Sequence, residues 1–111
     1  MLFARDRLPV EELHAPALCD LEFASMLRRF IRRKLLTEAG AVEAVGAYLD
    51  LPLVRHDHAP LLGRILDLRD NFTAYDASYV ALAEALDLPL LTRDLRLARA
   101  VRRHAPDVAL A

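Results

Sequence analysis

Asp76 sits in the first turn of a stretch, Asn71 to Leu86, whose alanines and leucines favour a helix and whose apolar positions run around most of its circumference. A helix of that kind is buried on several sides, and a carboxylate within it is costly to desolvate unless a donor or a cation compensates it. Thr73 offers one compensation: as N-cap it places Asp76 at N3, a Thr-x-x-Asp pattern that the helix dipole also favours. Two other segments suggest a second. In His14–Ala24 and in Leu88–Arg99 a short apolar run with strand character gives way to a helical pattern, and the acids Glu22 and Asp94 fall at or just past the junction. Carboxylates at strand-to-helix junctions of a parallel sheet emerge at its C-terminal edge, where open α/β folds form their ligand crevices. Three acids converging there raise at least one pKa unless a cation neutralises them. Hard carboxylate oxygens with retained waters suit Mg²⁺ or Mn²⁺, and such an ion activates water for in-line attack on a phosphodiester.

Along the chain, residues 1–11 read as a remnant helix or loop, 12–17 as a strand, and 20–36 as a basic amphipathic helix. A helix over 38–50 follows, with Thr37 as N-cap, then a strand over 52–56. Pro60 falls in the first turn of a helix ending near Asp70, and the helix bearing Asp76 runs to about Asp87. A strand over 89–92, a helix over 95–103 and a last strand near 107–110 close the chain. Alternating strands and helices predict a single α/β domain, 1–111, with a mainly parallel sheet.

These residues also carry a family resemblance. Pro16-Ala17-Leu18-Cys19-Asp20-Leu21-Glu22-Phe23-Ala24-Ser25, Thr73-Ala74-Tyr75-Asp76-Ala77-Ser78-Tyr79-Val80-Ala81-Leu82-Ala83 and Leu90-Leu91-Thr92-Arg93-Asp94 stand in the order and at the spacing of the PIN-domain ribonucleases. Among them the sequence resembles the VapC toxins of bacterial type II toxin–antitoxin pairs. The resemblance implies a PIN-like α/β/α sandwich and metal-dependent cleavage of RNA. It implies Asp76 as principal ligand of Mg²⁺ or Mn²⁺, Glu22 and Asp94 as further ligands or holders of metal-bound water, and Asn71 and Thr92 as positioning groups. Arg93 would contact phosphate. A homodimer that clasps an antitoxin tail across its basic helix and active groove is implied as well.

The family begins with a hydrophobic strand of the form apolar-apolar-Asp-x-Ser, and Met1–Asp6 does not fit it. A parallel crossover takes a dozen residues or more, so Leu2–Ala4 cannot lie parallel to the strand at 12–17, and Asp6 is a poor stand-in for the family aspartate. The expectation is a PIN domain truncated at its N-terminus, with residues 1–11 as remnant and a gap in the sheet between the strands at 12–17 and 89–92. Unpaired edges there would make the chain weakly nucleolytic or inactive alone and dependent on self-association or a partner.

Composition narrows the alternatives. A chain of 111 residues, 55% hydrophobic and with 3 glycines, is long enough for a real core and too apolar to be disordered. No apolar run is long enough to span a bilayer and no basic region followed by an apolar run appears in the chain, so the cytoplasm is the default expectation and a membrane role is unexpected. The lone Cys19 cannot form an internal disulfide and reads as packing. A formal net charge of −1 gives no global pull toward nucleic acid, yet Arg28, Arg29, Arg32, Arg33 and Lys34 crowd one helix. Glu22, Arg29 and Arg33 fall close to one line along it, with Leu27, Phe30, Ile31 and Leu35 facing the other way, so Arg29 and Arg33 could hold RNA phosphates or an acidic antitoxin surface, or form a merely solvated face. His56-Asp57-His58 lacks the further ligands of a zinc site and reads as a polar loop. There is no Gly-x-Gly-x-x-Gly, P-loop or Gly-x-Ser-x-Gly pattern. The rival to the nuclease is a catalytically impaired PIN remnant that binds an antitoxin or itself. A DNA-binding regulator resting on the Arg-rich helix is opposed by the strand signals and the three acids.

Overall fold

The apolar run Leu13–Pro16 forms strand β2, which pairs in parallel with β3, Leu53–His56, in the register Leu13 to Leu53 through Pro16 to His56. The structure, a computed structural model, describes residues 2–4 and 12–111. Residues Leu2–Ala4 form a strand, β1, and not the helix or loop expected for 1–11. β1 lies between β2 and β4 (Leu90–Leu91), antiparallel to both, giving the order β3-β2-β1-β4. The gap expected from the truncation is therefore filled. The physical reason lies in the connection: the short segment between Ala4 and Leu13 cannot make a parallel crossover, but an antiparallel neighbour needs only a turn. β2, β3 and β4 still run the same way, so the sheet is mainly parallel with one inverted strand. Asp6 falls outside the described residues.

Helix α1, Cys19–Arg32, ends earlier than the basic pattern suggests. Lys34 takes a left-handed conformation with φ 59°, the Leu35 N–H donates to the Phe30 carbonyl and the Lys34 N–H to the Ile31 carbonyl. That paired closure turns the chain out of the helix although no glycine is present. Helix α2, Glu38–Leu49, starts at Thr37, whose hydroxyl accepts from the Gly40 N–H at 2.9 Å. A Cβ at Gly40 would stand 2.9 Å from Leu36 Cδ1 and 3.1 Å from Thr37 Oγ1, so this turn of helix is crowded by its own cap. After β3, a 3-10 turn at Ala59–Leu61 leads into α3, Leu62–Asp67, which stops short of the expected Asp70.

α4, Ala74–Leu86, is the central helix. Every residue from Ala77 to Ala83 is buried, and its small alanines let it lie close against β2 and α3. Tyr79, Val80, Leu90 and Val101 have no exposed surface, and with Ala15, Leu82 and Leu97 they form the core. α5, Leu95–His104, follows β4. The strand expected near 107–110 reduces to a single parallel bridge between Leu90 and Leu110, in which Leu90 donates to the Ala109 carbonyl and accepts from the Ala111 N–H. No helix among the described residues is long and apolar enough to cross a membrane.

Candidate active site

Thr73 caps α4 in the manner its spacing predicts. Its extended backbone opens the helix, and its hydroxyl accepts from the Asp76 N–H at 3.1 Å. The Asp76 carboxyl is half-buried and is pushed above the ordinary carboxylate range, first by burial, then by the charge of Asp94, with Glu22 adding to it. Arg96 and the Thr73 hydroxyl pull in the other direction. The capping and ligand readings of Asp76 are compatible, since the cap engages the backbone N–H of Asp76 while its carboxylate still feels the charges of Asp94 and Glu22.

Asp94 is the N-cap of α5, a role the sequence reading did not give it. Its Oδ1 accepts from the backbone N–H of Arg96 at 3.0 Å and of Leu97 at 3.2 Å. Thr92 holds the turn from the other side, its hydroxyl accepting from the Asp94 N–H at 3.0 Å. Glu22 is exposed in the first turns of α1, and the hydroxyl of Tyr79 donates to its Oε1 in a short hydrogen bond. Tyr79 itself is fully buried on α4, and burial followed by the contact with Glu22 drives its pKa far above the usual phenol value. α4 therefore carries both Asp76 and the group that orients Glu22. Among the described residues no three His, Cys, Asp or Glu side chains converge tightly enough to make a ready metal cage.

Asn71 is exposed in the turn before α4, with its N–H donating to the Leu68 carbonyl. Arg93 is exposed immediately before Asp94. Arg29 shares with Glu22 the lining of two open clefts, one on each side of α1, of about 420 and 430 Å³. Arg33 lies past the last turn as the C-cap of α1, so the expected basic line is broken at its far end. Sequence reasoning missed Tyr79 and Arg96. Tyr79 stands three residues after Asp76, which puts both on one helix face, and that spacing was the available signal. Arg96 follows Asp94 within the first turn of α5.

The flanking polar contacts are structural. Arg55 Nε lies 2.9 and 2.8 Å from the two carboxylate oxygens of Asp20, and the Tyr48 hydroxyl donates to Asp20 Oδ1 at 2.8 Å and to Cys19 Sγ at 3.4 Å. Cys19 is buried in this joint between α1, α2 and β3. In the histidine loop, His56 Nε2 lies 2.9 Å from His14 Nδ1, and His58 Nε2 accepts from the Leu18 N–H at 3.1 Å at the start of α1.

A family model described as PIN domain matches residues 2–103. The chain is 44% identical over 103 residues to a VapC ribonuclease of Mycobacterium bovis and to ribonuclease VapC9 of Mycobacterium tuberculosis, covering 93% of this chain and 81% of each relative. It is 39% identical over 99 residues to ribonuclease VapC12 of Mycobacterium tuberculosis, covering 89% of this chain and 77% of that protein.

Proposed function

The chain belongs to the PIN-domain family, and we propose that it is a metal-dependent endoribonuclease acting as the toxin of a toxin–antitoxin pair in the cytoplasm. The observation that carries this reading is the Asp76 carboxyl, raised by burial and by Asp94 and Glu22 together, in a chain 44% identical to a VapC ribonuclease. A divalent cation fits that donor set. It offsets the repulsion that raises Asp76, all three donors are hard oxygens, and Mg²⁺ needs only one or two carboxylates because it keeps several waters. When bound, Mg²⁺ or Mn²⁺ supplies an activated water and offsets charge developing on the phosphate and leaving oxygen.

The chain's own residues divide the remaining work. Asp76 is the principal ligand, fixed by a capped helix seated in the core. Glu22 and Asp94 serve as further ligands or orient metal-bound water. Tyr79 limits the swing of Glu22 by donating to one oxygen, which leaves the other available. Thr92 fixes the Asp94 turn, and Asn71 positions groups at the mouth of the site. Arg29, Arg33 and Arg93 meet RNA phosphates or an acidic antitoxin segment. The protein functions as a homodimer.

Incubation of the purified protein with single-stranded RNA tests this. Cleavage is expected with Mg²⁺ or Mn²⁺, to stop in EDTA, and to fall by orders of magnitude in Asp76→Asn with an unchanged circular-dichroism spectrum, because the Thr73 cap uses the backbone of residue 76. Undiminished cleavage by that variant would leave Asp76 as a cap alone.

A second reading has a specific observation behind it: no three ligating side chains among the described residues form a ready cage, while Leu21, Leu35, Val42 and Leu49 stand exposed on α1, α2 and the turn between them. On that reading the domain binds an antitoxin, or a second copy of itself, without cutting. Metal-independent antitoxin binding together with absent cleavage under all metal conditions would favour it.

A further inference from the structure

Beside the acids, on the α4 side of α1, lies an open cleft of about 430 Å³ lined by Leu18, Leu21, Glu22, Ser25, Arg29 and Tyr75. Tyr75 immediately precedes Asp76 and is 67% exposed, and Leu21, which also lines the cleft, is 72% exposed. Large side chains so placed contribute little to the core, since burial and not exposure is what stabilises them. Their backbone is nonetheless held firmly: the Ser78 hydroxyl, itself buried, donates to the Tyr75 carbonyl at 2.6 Å.

Resting on the nuclease reading and deepening it, we propose that this cleft is a nucleobase subsite, in which Tyr75 stacks on the unpaired base of the nucleotide flanking the scissile phosphate. The chemistry of the walls argues for a base in particular. A phosphate drawn to a cation held by Asp76, Glu22 and Asp94 would leave the adjoining nucleotide in an acidic surrounding, and its neutral, flat base fits an aromatic and aliphatic wall better than a second phosphate would. Arg29, in the same cleft as Glu22, is placed to meet the next phosphate along the strand. Aromatic stacking is tolerant of base identity because every base has a π-face, so the subsite selects single-stranded RNA over duplex and not one sequence over another.

The chain contains no tryptophan, which makes Tyr75→Trp a unique reporter. With Ca²⁺ in place of Mg²⁺, a short single-stranded oligoribonucleotide is expected to quench its emission, and the same strand annealed to its complement is not. With Mg²⁺, Tyr75→Ala is expected to raise KM for the single strand about tenfold with kcat little changed, and Tyr75→Phe to keep the wild-type KM. An oligonucleotide abasic beside the cleaved bond should bring wild type and Tyr75→Ala to the same KM. An unquenched tryptophan, or a wild-type KM in Tyr75→Ala while the wild-type protein cleaves RNA, would overturn the subsite and leave the nuclease reading standing. A wild-type protein that neither binds nor cleaves RNA would remove the nuclease reading and the subsite with it.

Discussion

Every residue of α4 from Ala77 to Ala83 is buried, whereas α1 and α2 together bury only Cys19, Leu27 and Ala41 and leave Leu21, Val42 and Leu49 at 64–73% exposure. The radius of gyration, 14.8 Å, exceeds the roughly 13 Å expected of a compact chain of this length, consistent with a helical pair carried outward from the core. The candidate acids are divided between these supports. Asp76 rides on the helix that forms the core, and Glu22 on the pair that is mostly solvated. Two joints keep them in register: the Tyr79 hydroxyl on Glu22, and the Arg55–Asp20–Tyr48 contact reinforced by Phe23 stacked on Tyr48 at 4.2 Å between ring centroids. Buried packing is concentrated in one region and exposed surface in the other, and a change in either is expected to report mainly on that region.

The largest effect should come from the core. Leu82→Ala, at a position 2% exposed, removes packing that α4 cannot recover by collapse and is expected to cost about 2–5 kcal/mol in chemical denaturation. A smaller loss there would mean that α4 is not the centre of stability. A middle-sized effect separates the two regions by pH, because their acids are shifted in opposite directions. Arg55 holds Asp20 below its ordinary value of 3.8, so the stabilisation from Asp20 is present above that pH and is lost as pH falls through the lowered pKa. Asp20→Asn is therefore expected to melt below wild type at neutral pH and to converge with it in acid. Burial holds Asp76 above 3.8, so its contribution is favourable in acid and is lost as pH rises through the raised pKa. Asp76→Asn is expected to melt above wild type at neutral pH, with the difference closing below the ordinary carboxyl range. Parallel pH profiles for the two variants would collapse the distinction. The smallest effect belongs to the exposed pair: Leu35→Ser, at a position 70% exposed, is expected to change stability by less than about 0.5 kcal/mol.

Element order and caps were legible in the sequence where a local chemical signal existed. Thr37 and Thr73 cap the helices their spacing assigned to them, and β2, β3 and α4 lie close to their expected bounds. What local signals do not carry was misread. α1 stops at Arg32 because Lys34 adopts a left-handed turn, and a lysine there gives no more warning than any other basic residue in the run. The strand expected at 107–110 has only β4 beside it, and β4 is two residues long, so its pairing shrinks to a bridge. β1 was missed because a three-residue strand has no periodicity to read; its place is set by partners distant in sequence. At the site, the electrostatic influence of Asp94 and Glu22 on Asp76 follows from topology that the strand-to-helix junctions announced. The dual use of Asp94 as a cap and the grip of Tyr79 on Glu22 depend on side-chain directions that spacing alone leaves open.

The inverted strand β1 also sets an order of events for folding. Leu2 pairs with Leu91 and Phe3 with Leu90, so the two halves of the sheet are joined by the first described residues meeting nearly the last strand. β2, α1, α2, β3 and α4 can assemble from contacts between neighbouring segments as the chain leaves the ribosome, but the sheet cannot be stitched across its middle until β4 has emerged. Until then the amino-terminal segment has a partner on one side only. The step that makes the sheet continuous is thus a late, long-range closure, in which β1 is completed only by a strand most of the chain away.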